Sequence, residues 1–308
     1  ASAGALLFTM AAALDAPVVT VIIPVLNGAD FIGHAVESAL ASPGVPLEII
    51  VVDDGSADDT TRIVEAFGPP VRLLRQDRQG AYCARNLAAR DARGDWLAFL
   101  DADDDWMPEK LATQLAAVAG GADDLALVYT DRLNFGDLTR FAPRQSDSVR
   151  LWDGDIFEPL LLGNFITLSS VLMRKSWFDR LGGFAVEQRG VQDWDLWLRC
   201  AAAGGRVALC RDALTRYRLH PQQMSNALEQ RAQDREAVLR RALELSRASG
   251  VQRQTVRRAL SNVWMIGASQ AEDTAPWLAL RWYCRAAAHW PWRIDVYKGM
   301  IKCLIALV

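Results

Sequence analysis

The chain has 308 residues, 51% hydrophobic and 23% charged, a composition that excludes a disordered protein and allows one large domain plus an appendage. A formal net charge of −3 lacks the basic excess with which general nucleic-acid binders displace phosphate counterions, so nucleic acid is excluded as a partner. The five cysteines are odd in number and show no CxxC spacing, which indicates neither a zinc site nor a disulfide framework and makes a reducing cytoplasm the expected home. The charge is uneven: Ser225 to Val308 carries 13 Arg or Lys against 7 Asp or Glu, a net +6, which leaves −9 for the preceding part.

Residues 1–16 contain an apolar run, Ala5 to Leu14, with no basic stretch before it and too short to span a bilayer, so they read as a disordered leader, with Met10 as a candidate natural start. Strand-length apolar runs then alternate with helical patterns. The strands are Val18 to Pro24, Leu47 to Asp53, Val71 to Arg75, Trp96 to Asp101 and Leu125 to Thr130. Near-continuous apolar character marks strands covered on both faces, as in a parallel sheet. The intervening helices fall at Asp30 to Ala41, Ala57 to Phe67, Ala81 to Arg93 and Pro108 to Ala119, with Ser56 and Asp59 in a capping arrangement and Pro108 in a first turn.

From Asp131 to Phe165 the scattered Gly, Asp, Pro and Ser predict a loop-rich insertion. Order returns over Ile166 to Arg174. Trp194, Leu198 and Ala201 then recur at helical spacing, ended by Gly204 and Gly205, and two short strand-like runs follow, RVALC and TRYRLH. After Met224 come Arg-rich amphipathic helices, near Glu229 to Ser249, Gln252 to Ser269, Ala275 to His289 and Val296 to Leu307. The expected organisation is therefore α/β over residues 17–226 and a helical extension over residues 227–308.

In open α/β sheets ligands bind beyond the carboxyl ends of the strands. Here those ends are acidic: Asp53-Asp54-Gly55-Ser56 follows one strand and Asp101-Ala102-Asp103-Asp104-Asp105 another. Converging carboxylates repel unless a divalent cation offsets them. Mg²⁺ or Mn²⁺, with oxygen ligands, would also bridge to the phosphates of a nucleotide.

Four segments, VTVIIPVLNGADFI, IIVVDDGSADDT, QGAYCARNLAARDARGDWLAFLDADDDWMPEKL and VQDWDLWLR, in this order and spacing, resemble the inverting glycosyltransferases of family 2, over about 210 residues. The resemblance implies the GT-A fold, a mostly parallel sheet flanked by helices, and transfer of a sugar from a nucleoside-diphosphate sugar, UDP-linked by first expectation, to a hydroxyl acceptor on a glycan or lipid-linked glycan. It also implies a place in surface polysaccharide or lipopolysaccharide synthesis. A catalytically inactive nucleotide-sugar-binding protein of the same fold is the alternative.

Carried over by motif, Asp54 matches the residue that hydrogen-bonds the nucleotide base, Pro24 lines the same pocket and Asp53 supports the loop. Asp101 matches the aspartate near the ribose, and Asp103 the metal ligand. Asp104 and Asp105 stand either around the metal or as helix-leading acids, the latter being favoured. Asp193 matches the general base, which removes the proton of an otherwise poor hydroxyl nucleophile. Gln192 departs from the common pattern, in which a glutamate precedes the base, while Asp195 is expected to point elsewhere on the helix. His220 matches a histidine that approaches the metal or the diphosphate. Arg85, with Asn86, is expected at a helix start facing the crevice, where Arg85 meets a phosphate or solvent, and Arg218 is a weaker candidate of the same kind.

The tail holds Trp264, Trp277, Trp282, Trp290 and Trp292. Beside its positive charge they fit either helix-on-helix packing or peripheral contact with the inner face of a cytoplasmic membrane.

Overall fold

The computed structural model describes residues 18–136, 142–187, 190–219, 228–245 and 253–307. The expected leader, Pro17 and His220 lie outside the described residues. The chain divides into two compact units. Among the described residues, the first comprises those up to Gly154, Ile166–Phe184 and Gly205–Leu219. The second comprises Asp155–Phe165, Ala185–Gly204 and those after residue 227. Residues 155–165 and 185–204, read from sequence as part of the α/β region, thus group with the C-terminal helices.

The first unit is built on one eight-stranded sheet: β1 (Val19–Val25), β2 (Leu47–Asp53), β3 (Val71–Arg75), β4 (Trp96–Phe99), β5 (Asp105–Trp106), β6 (Leu125–Gly136), β7 (Val171–Arg174) and β8 (Arg206–Leu219), in the order β3-β2-β1-β4-β7-β6-β8-β5. Strands β3, β2, β1 and β4 are parallel. β7 runs antiparallel to both β4 and β6, β8 pairs parallel with β6, and β5 antiparallel with β8. Helices α1 (Ile32–Leu40), α2 (Thr60–Glu65), α3 (Ala81–Asp91), α4 (Lys110–Val118) and α6 (Lys175–Arg180) belong to the same unit.

The apolar runs have the expected cause. Val19, Val21 and Ile23 of β1, with Ile49 and Val51 of β2, pack in one cluster with Ile32, Ala35, Val36 and Ala39 of α1. Ile22, Ile50 and Leu97, whose side chains alternate to the other face, are also fully buried. Each such residue contributes about 1.5–3 kcal/mol of apolar burial. Asp53 and the residues after Phe99 therefore sit at the ends of rigid, doubly covered strands.

Three local expectations are corrected. The loop predicted from Asp131 onward begins as strand, because β6 continues to Gly136 paired with β8, in unbroken register from Arg132 opposite Thr215 to Gly136 opposite Leu219 after an irregularity at Asp131. RVALC and TRYRL, up to Leu219, are parts of that single strand β8, and Thr130 and Thr215 share a hydrogen bond of 3.1 Å across the pair. Order does return within Ile166 to Arg174, as a 3-10 turn at Leu168–Ser170 followed by strand β7. Ser56 does not cap α2; Asp58 accepts from Thr60 N at 3.1 Å instead.

The second unit contains α5 (Phe157–Leu162), α7 (Gln192–Ala202), α8 (Leu228–Leu245), α9 (Arg253–Ala271), α10 (Pro276–His289) and α11 (Ile294–Ala306). Its apolar centre includes Trp264, Ala268, Trp282, Tyr283, Val296 and Cys303. Gly299 allows the close approach of α11 to α10, since a Cβ there would lie 2.2 Å from the Tyr283 ring. The tail tryptophans divide: Trp264 and Trp282 are buried, whereas Trp277 and Trp292 are 66% and 81% exposed.

Candidate active site

In the first unit the ends of β1, β2 and β4 lie side by side, with Val25 opposite Asp53 and Ile22 opposite Phe99. Asp53 is buried and its Oδ1 accepts from Ser56 N at 3.0 Å. Asp54 is buried too: Oδ1 accepts from Gln79 N (2.7 Å) and Gln76 Nε2 (2.7 Å), and Oδ2 from Gly80 N (2.9 Å). Its carboxylate thus closes the turn that leads into α3, where Gly80 takes φ +94°, a conformation that favours glycine. Pro24 lies buried near the end of β1, opposite Val52. After β1, Asn27 ties the neighbouring loop down, its N–H donating to Ser56 Oγ and its Oδ1 accepting from Ala57 N, both at 2.8 Å.

After β4, Asp101, Asp103 and Asp104 place one carboxylate oxygen each within 4.8 Å of the others. Asp101 is ion-paired with Arg85 of α3, and its N–H donates to Ser169 Oγ at 3.2 Å. Asp104 is almost fully buried, accepting from Ser169 Oγ at 2.5 Å and from Arg218 N at 2.9 Å. Arg218 Nε donates to the Asp103 carbonyl at 2.9 Å, and its guanidinium carbon lies 4.5 Å from the Phe135 ring centre. Asp105 faces Arg216 at 3.3 Å.

Burial, then the charges of Asp101 and Asp103, push the Asp104 carboxyl well above its usual range. Burial also raises Asp101, against the pull of Arg85 and with the push of Asp103. A set of three hard oxygen donors that repel one another fits a divalent cation such as Mg²⁺ or Mn²⁺, whose charge would relieve the crowding.

Arg85 is 4% exposed, stacked 4.6 Å from the centre of the Tyr82 ring, and its Nε and Nη1 have no hydrogen-bond partner among the described residues. It is a buried cation beside the acidic cluster, not a solvated surface arginine. Asn86 differs: its amide is spent on the backbone of Phe184, donating to the carbonyl at 2.9 Å and accepting from the N–H at 3.0 Å.

In the second unit Asp193 stands in the first turn of α7, where the helix N-terminus favours a negative charge. Its Oδ2 accepts from Asn164 Nδ2 at 2.9 Å. The helix is anchored by the two residues that follow Asp193. Trp194 Nε1 donates to the Leu160 carbonyl at 2.9 Å, and buried Asp195 pairs with Arg199 (2.7 Å) and with Arg241 of α8 (3.3 Å). Asp195 does point elsewhere, into this anchor. Gln192 is buried in the same turn.

The pattern of the family described as "Glycosyl transferase family 2" matches residues 20–182, more than half of the chain. The chain belongs to glycosyl transferase family 2. The transferase is 45% identical over 122 residues, 37% of its length and 35% of the other's, to the succinoglycan biosynthesis protein ExoO of Rhizobium meliloti. Curated relatives of 27–45% identity are matched over 31–71% of their own lengths. Among solved structures, Staphylococcus aureus TarS 1-349 in complex with UDP-GlcNAc aligns with TM-score 0.67 at 18% identity, covering 93% of this chain and 88% of that one. The mannosyltransferase PcManGT of Pyrobaculum calidifontis, in complex with GDP-Man and Mn²⁺, aligns with TM-score 0.57 at 19% identity, covering 94% and 86%. These likenesses establish the GT-A fold for the transferase.

The structure of the transferase thus brings Asp101, Asp103 and Asp104 together, with Arg85 and Arg218 beside them and Asp53 and Asp54 on the next strand end but one. Sequence reasoning missed Ser169, which joins Asp101 to Asp104, and Asn164, which holds Asp193. Both lie in segments with no motif signal. The amide of an Asn or the hydroxyl of a Ser gains a role only through a partner distant in sequence.

Proposed function

We propose that this glycosyltransferase is a metal-dependent, inverting enzyme that moves a sugar from a nucleoside-diphosphate sugar, UDP-linked in the first instance, to a hydroxyl of a growing surface glycan carried on lipid. The observation that carries the reading is the trio of carboxylates, Asp101, Asp103 and Asp104, at the end of β4, one strand removed from the Asp53–Asp54 end of β2. The TarS complex with UDP-GlcNAc and the PcManGT complex with GDP-Man and Mn²⁺ support a sugar-nucleotide donor and a divalent ion. The ExoO relationship supports polysaccharide synthesis.

In this reading Asp103 and its neighbours hold Mn²⁺ or Mg²⁺, which when bound neutralises charge on the departing diphosphate. The Asp54 turn and Pro24 shape the base pocket, Asp53 supports that turn, and Asp101, fixed by Arg85, faces the ribose. Arg85 offers its unpaired N–H groups to a phosphate. Asp193 accepts the acceptor hydroxyl's proton as that oxygen bonds to the anomeric carbon and the bond from that carbon to the diphosphate oxygen breaks, the electron pair leaving with the nucleotide. Attack opposite the leaving group inverts the anomeric centre.

The test is turnover of UDP-, GDP- and dTDP-sugars in Mn²⁺ and in EDTA by the wild-type chain and by Asp193→Asn. The reading requires metal-dependent consumption of one donor class that Asp193→Asn loses. Donor turnover that is unchanged by EDTA and by the substitution contradicts it.

A further inference from the structure

Helix α11 carries apolar residues on two opposite faces. Val296, Gly299 and Cys303 are buried on one. On the other, Ile294, Tyr297, Ile301, Leu304 and Ile305 are 70%, 43%, 58%, 50% and 72% exposed. Their spacing of three, four and three residues, closed by Ile305, makes one continuous stripe. Trp292, 81% exposed, stands just before the helix, and Trp277, 66% exposed, in the first turn of α10. Twelve large apolar residues are exposed among those described, and seven of them fall between Trp277 and Ile305, including every one at least 50% exposed. A concentration of that kind marks a contact surface, whereas scattered exposed apolar residues do not.

The charge around the stripe selects what covers it. From Pro276 to Leu307 there are five cations, Arg281, Arg285, Arg293, Lys298 and Lys302, against one acid, Asp295; of these Lys302 is neutralised by Glu272 and Asp273, just before α10, at 2.6 and 3.3 Å. Lys298 is exposed and four residues from Ile294, on the edge of the stripe. A second copy of the chain docked about a two-fold axis would set this basic surface against itself. An anionic bilayer complements it: aliphatic side chains enter the acyl boundary, tryptophan rings sit at headgroup level and the cations meet lipid phosphates. No helix among the described residues is long and apolar enough to cross a membrane, so such contact lies in the interface plane. We propose that the outer face of α11, with Trp292 and Lys298, binds the surface of an anionic membrane.

The experiment is co-sedimentation of the chain with vesicles of phosphatidylcholine alone and of phosphatidylcholine mixed with phosphatidylglycerol, at low and high salt. Binding is expected to the mixed vesicles, weakened by salt, and weakened about tenfold or more by Ile301→Gln combined with Ile305→Gln. Trp292→Gln, outside any helix, gives a second and independent loss, and circular dichroism verifies that both variants keep the wild-type fold. No binding to either vesicle overturns the proposal, as does binding that both sets of substitutions leave unchanged. So does sedimentation velocity without lipid that shows a dimer which the double substitution converts to a monomer, for the stripe would then belong to a second copy.

Discussion

Asn164 Nδ2 donates a 2.9 Å hydrogen bond to Oδ2 of Asp193. Asn164 follows α5, whose last residue, Leu162, has its carbonyl held by Asn262 Nδ2 of α9 at 2.7 Å. Arg293 donates in turn to Asn262. The side chain that orients the proposed base is therefore itself positioned by the C-terminal helices. A donor bound to one oxygen fixes the carboxylate rotamer.

Asn164→Ala is expected to lower kcat about tenfold, on the scale of one charge-assisted hydrogen bond, with the KM for the donor unchanged. Asp193→Asn is expected to lower it by about 10²–10⁴. Steady-state kinetics with donor and acceptor varied separately checks both. A rise in donor KM at constant kcat for Asn164→Ala would assign the pair to donor binding instead.

Glu48 gives the fold a defined acid sensitivity. It is almost fully buried, and its carboxylate accepts from Thr20 Oγ1 (2.8 Å), Arg93 N (2.7 Å) and Arg93 Nε (2.9 Å). Burial alone would raise its pKa; the hydrogen bonds from Arg93 and Thr20 and the Arg93 charge together outweigh it and lower the value. The unfolded chain then binds the proton more readily than the native one. The stability from this group is present above the usual glutamate range and lost as the pH falls through the depressed native value. Glu48→Gln is expected to cost about 1–3 kcal/mol near neutrality and less in acid. Urea unfolding of both proteins across that range measures the difference.

The acidic cluster works in the opposite direction. Asp104 and Asp101 hold protons to higher pH in the native state than in the unfolded chain. Their contribution is full below the usual aspartate range and declines as the pH rises through the raised native values. A divalent ion must displace those protons, so its affinity grows with pH. The rise in melting temperature on adding Mn²⁺ is expected to increase from mildly acid to neutral pH and to vanish in Asp103→Ala, as read by thermal unfolding in Mn²⁺ and in EDTA.

The sheet and the acidic strand ends were legible because local pattern and tertiary role coincide. Ile22, Ile50 and Leu97 belong to uninterrupted apolar runs since both faces are covered, and Asp53 and Asp101 stand where those runs stop. β6 beyond Thr130 was not legible: Asp131 is a buried acid that reads as loop. Its burial is tolerated because Arg144, distant in sequence, lies 3.3 Å away and Arg132 N and Ser146 N donate to it. The tail tryptophans carry one composition and two roles, since burial of Trp282 depends on Gly267, where a Cβ would lie 3.2 Å from that ring, while nothing local distinguishes exposed Trp277. Asn164 and Ser169 escaped for the same reason, their roles being set by partners 29 and 65 residues away.

The most direct test of the central claim is calorimetric binding of UDP and GDP, each with and without Mn²⁺, to the wild-type chain and to Asp103→Ala. Metal-dependent binding of one nucleotide, lost in Asp103→Ala, is the predicted result. Binding that is indifferent to Mn²⁺ and to the substitution, or no binding under any of these conditions, would contradict the assignment of the Asp101–Asp103–Asp104 cluster as the metal-assisted donor site.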